Sequence, residues 1–172
     1  RWLHTQWPAG HGENLPLVNE DGSTNVPGLY IAGDITGIPL LKFSSDTGTR
    51  SVQNIVASAE FQKRDRSDAL DLVIIGAGVA GVAAAMEAKK AGLRFEVLEA
   101  SEPFSTVVNF PKGKPIFTYP TDRTPAGDLQ FTQRSNVKEG LVAELGNYLR
   151  EAGVTPLIVR AERIARSGNL LE

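Results

Sequence analysis

Gly76-Ala77-Gly78-Val79-Ala80-Gly81 is the stretch whose residue types and spacing suit a defined chemistry, the cradling of a dinucleotide pyrophosphate. Gly76 permits a tight turn, Gly78 lets a phosphate approach the backbone, and Gly81 lets a helix lie close on a strand. A helix starting there aims unpaired N–H groups, and about half a unit of positive charge, at the phosphates. The spacing alone is weak, so its context decides. An apolar strand, Asp71–Ile75, precedes the turn, and a helix to about Ala91 follows it, stopped by Gly92. Ala83, Ala84 and Ala85 keep the next turn of that helix narrow. Glu99 ends the following strand, 23 positions after Gly76, where a carboxylate accepts hydrogen bonds from ribose hydroxyls. An acid there repels a 2′-phosphate, which disfavours NADP at this site. Ala100, next to it, joins the candidate nucleotide contacts.

The elements that must position this turn read as strand–helix–strand–helix–strand, the order of a parallel sheet with covering helices. After the strand Phe95–Leu98, residues 101–135 carry five prolines and little periodicity, so an ordered but irregular segment is expected. Asn136-Val137-Lys138-Glu139 has the pattern of a capping box. Leu141, Leu145, Tyr148, Leu149 and Ala152 then line one helical face, and a strand is expected near Leu157–Arg160. Upstream, Glu20-Asp21-Gly22-Ser23 reads as a hairpin turn after Leu15–Val18. A short buried strand, Gly28–Ala32, ends in Gly33-Asp34. A helix from about Ser45 to Phe61 follows, with Val52, Ile55, Val56 and Ala59 on one face.

Composition narrows the classes further. The 172 residues suffice for one domain-sized core, and 18 basic against 20 acidic residues give no footprint for nucleic acid. Without cysteine, the chain has no disulfide, thiolate metal site or redox cysteine pair of its own. The longest apolar stretch, Leu72–Met86, is too short and too glycine-rich for a membrane span, and a cytoplasmic setting is expected. His4 and His11 have no ligand or triad pattern around them, and Ser44, Ser45 and Ser51 lack a His–Asp partner arrangement. Lys112 and Lys114 read as a surface turn, and Trp2, Trp7 and Tyr119 as packing or partly exposed aromatics. No catalytic residue and no metal ligand is assigned.

A second motif carries a resemblance. Thr24-Asn25-Val26-Pro27-Gly28-Leu29-Tyr30-Ile31-Ala32-Gly33-Asp34, taken with Asp71–Ala85 and Glu99, resembles the two FAD motifs of the flavoprotein disulfide reductase superfamily, its thioredoxin-reductase-like branch above all. The resemblance implies an α/β, Rossmann-like FAD-binding fold with a central parallel sheet, helices on one face and a partial β-meander. It implies FAD as cofactor and, in the full-length protein, NAD(P)H as hydride donor. Gly33 and Asp34 would then meet the ribityl chain, and the helix after them would aim its start at the flavin ring. Val154–Ile164 resembles the strand and start of the meander that pass the adenine, which brings in Ala161. The implied partners are a small-molecule dinucleotide and other modules of the same chain or a redox partner.

The motifs stand in reverse of the family's order. With a start at Arg1 and an end at Glu172 in a polar turn, the chain reads as a piece of a tandem protein. Residues 1–62 would be the C-terminal part of one FAD-binding module, 63–69 a solvated connector, and 70–172 the truncated N-terminal part of the next. A circularly permuted single module is the other reading. Residues 29–33 are expected to pair with 71–75 through a right-handed crossover. Two rivals to a flavoenzyme stay open: a plain NAD-binding Rossmann dehydrogenase, and a nucleotide-binding structural or electron-transfer module without its own catalysis.

Overall fold

The computed structural model describes residues 15–64, 69–132, 137–168 and 170–172. Four apolar residues form β1, Leu72–Ile75, and alternate in burial: Ile74 is buried while Val73 and Ile75 are exposed. That alternation covers one face of the sheet and leaves the other open. Helix α3, Val79–Lys90, returns the chain to β2, Phe95–Glu99, which pairs in parallel with β1 in the register Leu72↔Phe95 and Ile74↔Val97. Helix α5, Lys138–Glu151, leads in turn to β3, Leu157–Ile158, which pairs in parallel with β2. The strand order β1-β2-β3 thus advances in one direction, so right-handed crossovers put both helices on the same face. Ile74 and Val97 from the sheet, Val82 and Ala85 from α3, and Leu141 and Leu145 from α5 share one core. This is the α/β, Rossmann-like arrangement, with helices on one face. A two-stranded antiparallel hairpin, β4 (Arg166–Ser167) with β5 (Leu170–Leu171), stands where the partial meander is expected.

The residues before β1 supply a further helix layer. Helix α1, Leu41–Ala57, packs along α3 in the most extensive helix–helix contact of the fold. It begins four residues before the expected Ser45 start, because its first turns are buried through polar side chains that apolar periodicity does not register. It also stops before Phe61. Ser58 is extended (ψ 145°) and its hydroxyl accepts from the Phe61 N–H, capping the separate turn α2, Ala59–Gln62. Within the connector, Arg64 is no solvated charge: its Nε lies 2.8 Å from Oδ1 of Asp71, the residue before β1.

Three expectations change. Gly28–Ala32 is not a strand and does not pair with 71–75. Tyr30 instead bridges Ser23, Ile31 donates to the Gly22 carbonyl (2.8 Å), and Thr24 donates to the Leu29 carbonyl (3.1 Å). The turn at Pro27-Gly28 folds the segment back on its own upstream residues, and the positive φ of Gly33 (87°) then redirects the chain before it can run along β1. The expected turn at 20–23 forms, yet its partner is this segment and not Leu15–Val18, which is irregular. The capping box is also replaced. Val137 is the N-cap of α5 without a side-chain bond, and Glu139 accepts from the Gly113 N–H (3.0 Å); Asn136 lies outside the described residues. Residues 101–132 are irregular apart from a four-residue turn, α4 (Ser105–Val108).

Two glycines let α3 sit between β1 and α1. A Cβ at Gly81 would lie 1.8 Å from the Gly76 carbonyl oxygen, and one at Gly48 would lie 2.1 Å from that of Ala80. At Gly146 of α5 a Cβ would meet nothing. Gly48→Ala is therefore expected to destabilise the fold by about 1–3 kcal/mol through overpacking. Gly146→Ala should stabilise it by about 0.5–1 kcal/mol through unfolded-state entropy. Denaturant unfolding of the two variants beside the wild type checks both signs.

Candidate functional site

The glycine turn sits where β1 gives way to α3. Gly76 has φ 97°, a conformation that penalises any side chain, and its N–H donates to the Leu98 carbonyl (2.7 Å), anchoring the turn to β2. Gly78 is extended and is the N-cap of α3, with no side chain capping the first helical amides. A Cβ at Gly76 or Gly78 would meet no atom, so the turn borders open space on the side the helix start faces. An uncapped helix start beside such a space is an electrostatic and hydrogen-bonding site for an anion. The residues present therefore fit a pyrophosphate.

Glu99 is drawn under this turn. It is only 7% exposed; Oε2 accepts from the Ala77 N–H at 2.7 Å and Oε1 from the Ser101 N–H at 2.9 Å. Burial pushes the carboxyl pKa up, but the amides of Ala77, Ser101 and Ala100 outweigh it and hold the pKa below the ordinary glutamate value. On the other side of the turn, the Phe104 N–H donates to the Ala77 carbonyl at 2.9 Å, and Phe104 is buried in a left-handed conformation (φ 59°). A non-glycine residue there costs on the order of 1 kcal/mol, offset by burial of its ring. Ala77 is thus gripped through both of its peptide groups. The Ser101 hydroxyl donates to Glu99 Oε1 as well, at 3.4 Å.

The Gly-Asp turn approaches the same helix start. Gly33 is buried, its N–H donates to Thr47 Oγ1 (2.9 Å), and a Cβ on it would lie 2.9 Å from the Ala80 Cβ. Asp34 is exposed, opens a 3-10 turn through Thr36, and accepts from Ser44 Oγ at 2.6 Å. The structure therefore brings Gly33 against Ala80 in the first turn of α3, although the strand pairing expected to do so does not form. Ala100, next to Glu99, is exposed and Ala161 is half-buried. The Val159 N–H donates to the Glu99 carbonyl (2.8 Å), two residues before Ala161.

Sequence reasoning passed over Lys42, Asp46, Phe104 and Arg123, which hold the surroundings of the site. Lys42 and Asp46 lie one helical turn apart, and their partners, some 80 residues later, leave no mark in the local pattern. Ser44 and Ser45 have hydrogen-bonding roles, to Asp34 and to the Leu129 carbonyl (2.8 Å). Lys114 lies over the Phe110 ring, its Nζ 3.6 Å from the centroid, and Tyr119 is an exposed aromatic stacked on Phe117. Trp2, His4, Trp7 and His11 lie outside the described residues.

Residues 73–152, just under half of the chain, match the family described as pyridine nucleotide-disulphide oxidoreductase. The match takes in the glycine turn, Glu99 and α5, and leaves out the Gly-Asp turn. Among solved structures, the bacillithiol disulfide reductase of Staphylococcus aureus is similar, with a TM-score of 0.50 and 19% identity over 58% of this chain and 31% of that one. At that identity the likeness shows the fold, and this chain spans about a third of that reductase's length. A search of curated proteins gives no match. No helix among the described residues is long and apolar enough to cross a membrane.

The Glu99 contacts set a pH dependence. Its depressed pKa means that Glu99 contributes stability that is fully present above the unfolded value, about 4.3, and is lost as pH falls through the folded value. Unfolding midpoints measured down through that window should fall with pH, and Glu99→Gln should flatten the decline. An unchanged slope in the variant would remove Glu99 as the responsible group.

Proposed function

From the flavoprotein disulfide reductase-like superfamily that the family match and the shared fold support, and the oxidoreductase class that comes with it, we propose that this chain carries the FAD-binding part of a flavin-dependent oxidoreductase. The observation that carries the reading is the meeting of Gly33-Asp34 with the start of α3 at Ala80. A plain NAD-binding turn needs the glycines and Glu99 alone. A second carboxylate, held by Ser44 beside the same helix start, suits a ligand that extends beyond the pyrophosphate, as FAD does through its ribityl chain.

In this reading the turn Gly76–Gly81, through the open helix-start amides from Gly78 on, holds the pyrophosphate, Glu99 the adenosine ribose and Asp34 the ribityl hydroxyls. Ala100 and Ala161 border the adenosine. The start of α1 faces the ring end, where its amides favour negative charge. When bound, the flavin supplies the redox chemistry, accepting hydride from NAD(P)H and passing electrons to an acceptor; the chain binds, orients and shields it. Residues 1–62 act as the C-terminal part of an FAD-binding module, 63–69 as connector and 70–172 as the N-terminal part of a module. Other modules of the same protein or a redox partner supply the nicotinamide site and the acceptor, in a cytoplasmic setting.

The test is cofactor identification on the full-length protein. Purified protein should carry FAD, released on denaturation, and NADH or NADPH should bleach it. NAD without flavin would establish the dehydrogenase reading, and bound flavin that no nicotinamide reduces would establish a non-catalytic module. Within the site, Asp34→Ala and Glu99→Ala should each weaken FAD binding by about 1–3 kcal/mol, as loss of hydrogen bonds to a charged group does. Exposed Asp34 should leave the unfolding midpoint nearly unchanged, whereas Glu99→Ala should lower it because the Ala77 amide loses its acceptor. Dissociation constants from flavin fluorescence, read beside denaturation curves, separate the two.

A further inference from the structure

Two buried ionisable side chains on α1 take no part in the site as described. Lys42, 7% exposed, donates from Nζ to the carbonyls of Pro120 (2.8 Å), Thr121 (3.3 Å) and Arg123 (2.7 Å). One turn on, Asp46, 3% exposed, accepts from the Ala126 N–H (2.8 Å), Arg123 Nη2 (2.8 Å) and Arg50 Nε (2.9 Å). Between them Ser45 Oγ reaches the Leu129 carbonyl at 2.8 Å, and the Arg123 guanidinium lies 4.2 Å from the centroid of the Phe43 ring. One ammonium thus gathers three carbonyls of a loop, and one carboxylate gathers an amide and the loop's own guanidinium.

Burying such groups is costly unless every hydrogen-bonding position is met, and apolar side chains of similar size often stabilise a fold as well or better. What the charged network adds is definition. An ammonium with three donors aimed at three carbonyls allows one placement of the loop, whereas apolar packing tolerates sliding. Ser44, on the same turn, is the residue that orients Asp34. Segment 120–129 and the Asp34 carboxylate are therefore both keyed to residues 42–46 of α1.

We propose that Lys42 and Asp46 are positioning residues that clamp segment 120–129 to the first turns of α1, so that this segment and Asp34 hold a single arrangement around the flavin. The inference rests on the FAD reading of Asp34. It assigns Lys42 no contact with cofactor or substrate, since the three loop carbonyls occupy its donors. The 120–129 segment becomes a wall of the cofactor site whose placement is set from the helix.

The experiment uses the full-length protein loaded with FAD. Arg123→Gln cuts the loop side of the clamp at a half-exposed residue; Lys42→Met removes the ammonium, and Lys42→Arg keeps a multi-donor cation. Amide exchange at Ala126, the visible flavin spectrum and the flavin midpoint potential are the readouts. Arg123→Gln should speed Ala126 exchange on the order of tenfold, as loss of a charge-assisted contact allows, and should displace spectrum and potential together. Lys42→Met should do the same, and Lys42→Arg should bring both back toward wild type. Wild-type exchange in Arg123→Gln, or faster exchange with an unchanged spectrum and potential, would overturn the clamp. A wild-type protein that takes up no flavin overturns the FAD reading and this inference with it, and that result is visible before any substitution is made.

Discussion

The first turn of α3 lies between two backbones with no room for a methyl group on either side. From below, Gly81 rests on the Gly76 carbonyl; from above, Gly48 of α1 rests on the Ala80 carbonyl. These approaches fix how high the helix start rides over the sheet, and so where its free amides point. Gly33 also approaches the Ala80 side chain, less closely, at 2.9 Å for an added Cβ, which brings the Gly-Asp turn to the same place. The glycines of this region divide into two kinds. Gly48 and Gly81 serve packing, while a Cβ at Gly76 or Gly78 would meet nothing.

Around that turn the fold is held by polar burial to an unusual degree. The first half of α1 buries Lys42, Ser44, Ser45, Asp46 and Thr49. Their bonds reach a loop that would otherwise leave its carbonyls and amides to water. Glu99 plays a comparable part under the glycine turn, where its carboxylate satisfies backbone amides.

Among the described residues the parallel sheet is covered on one face alone. Val73, Ile75 and Leu157 are each about half exposed, although parallel strands usually carry helices or strands on both sides. The hairpin β4–β5 does not close that face. Leu171 packs toward Gly28, and the Arg166 guanidinium donates to the Pro27 carbonyl, which ties the hairpin to the residues before the Gly-Asp turn. The residues before and after the connector thus meet through this contact as well as through α1 and α3.

The parallel α/β core was legible in the residues: strand Asp71–Ile75, the helix to Ala91, Phe95–Glu99 and the apolar face of α5 all appear within a residue or two of their expected places. Periods of two and 3.6 are local properties that survive folding. So are the needs of Gly76 for a positive φ and of Glu99 for a place at a strand end. What the local pattern missed shares one physical cause. Tyr30 pairs with Ser23 instead of β1 because near partners satisfy its neighbours' amides first. Helix α1 starts at Leu41 because Lys42 and Asp46 find acceptors and donors near residues 120–126. A hydrogen bond between residues 80 positions apart has no period. The glycine turn and its acid could therefore be read from the chain alone, while the company they keep was decided by the tertiary fold.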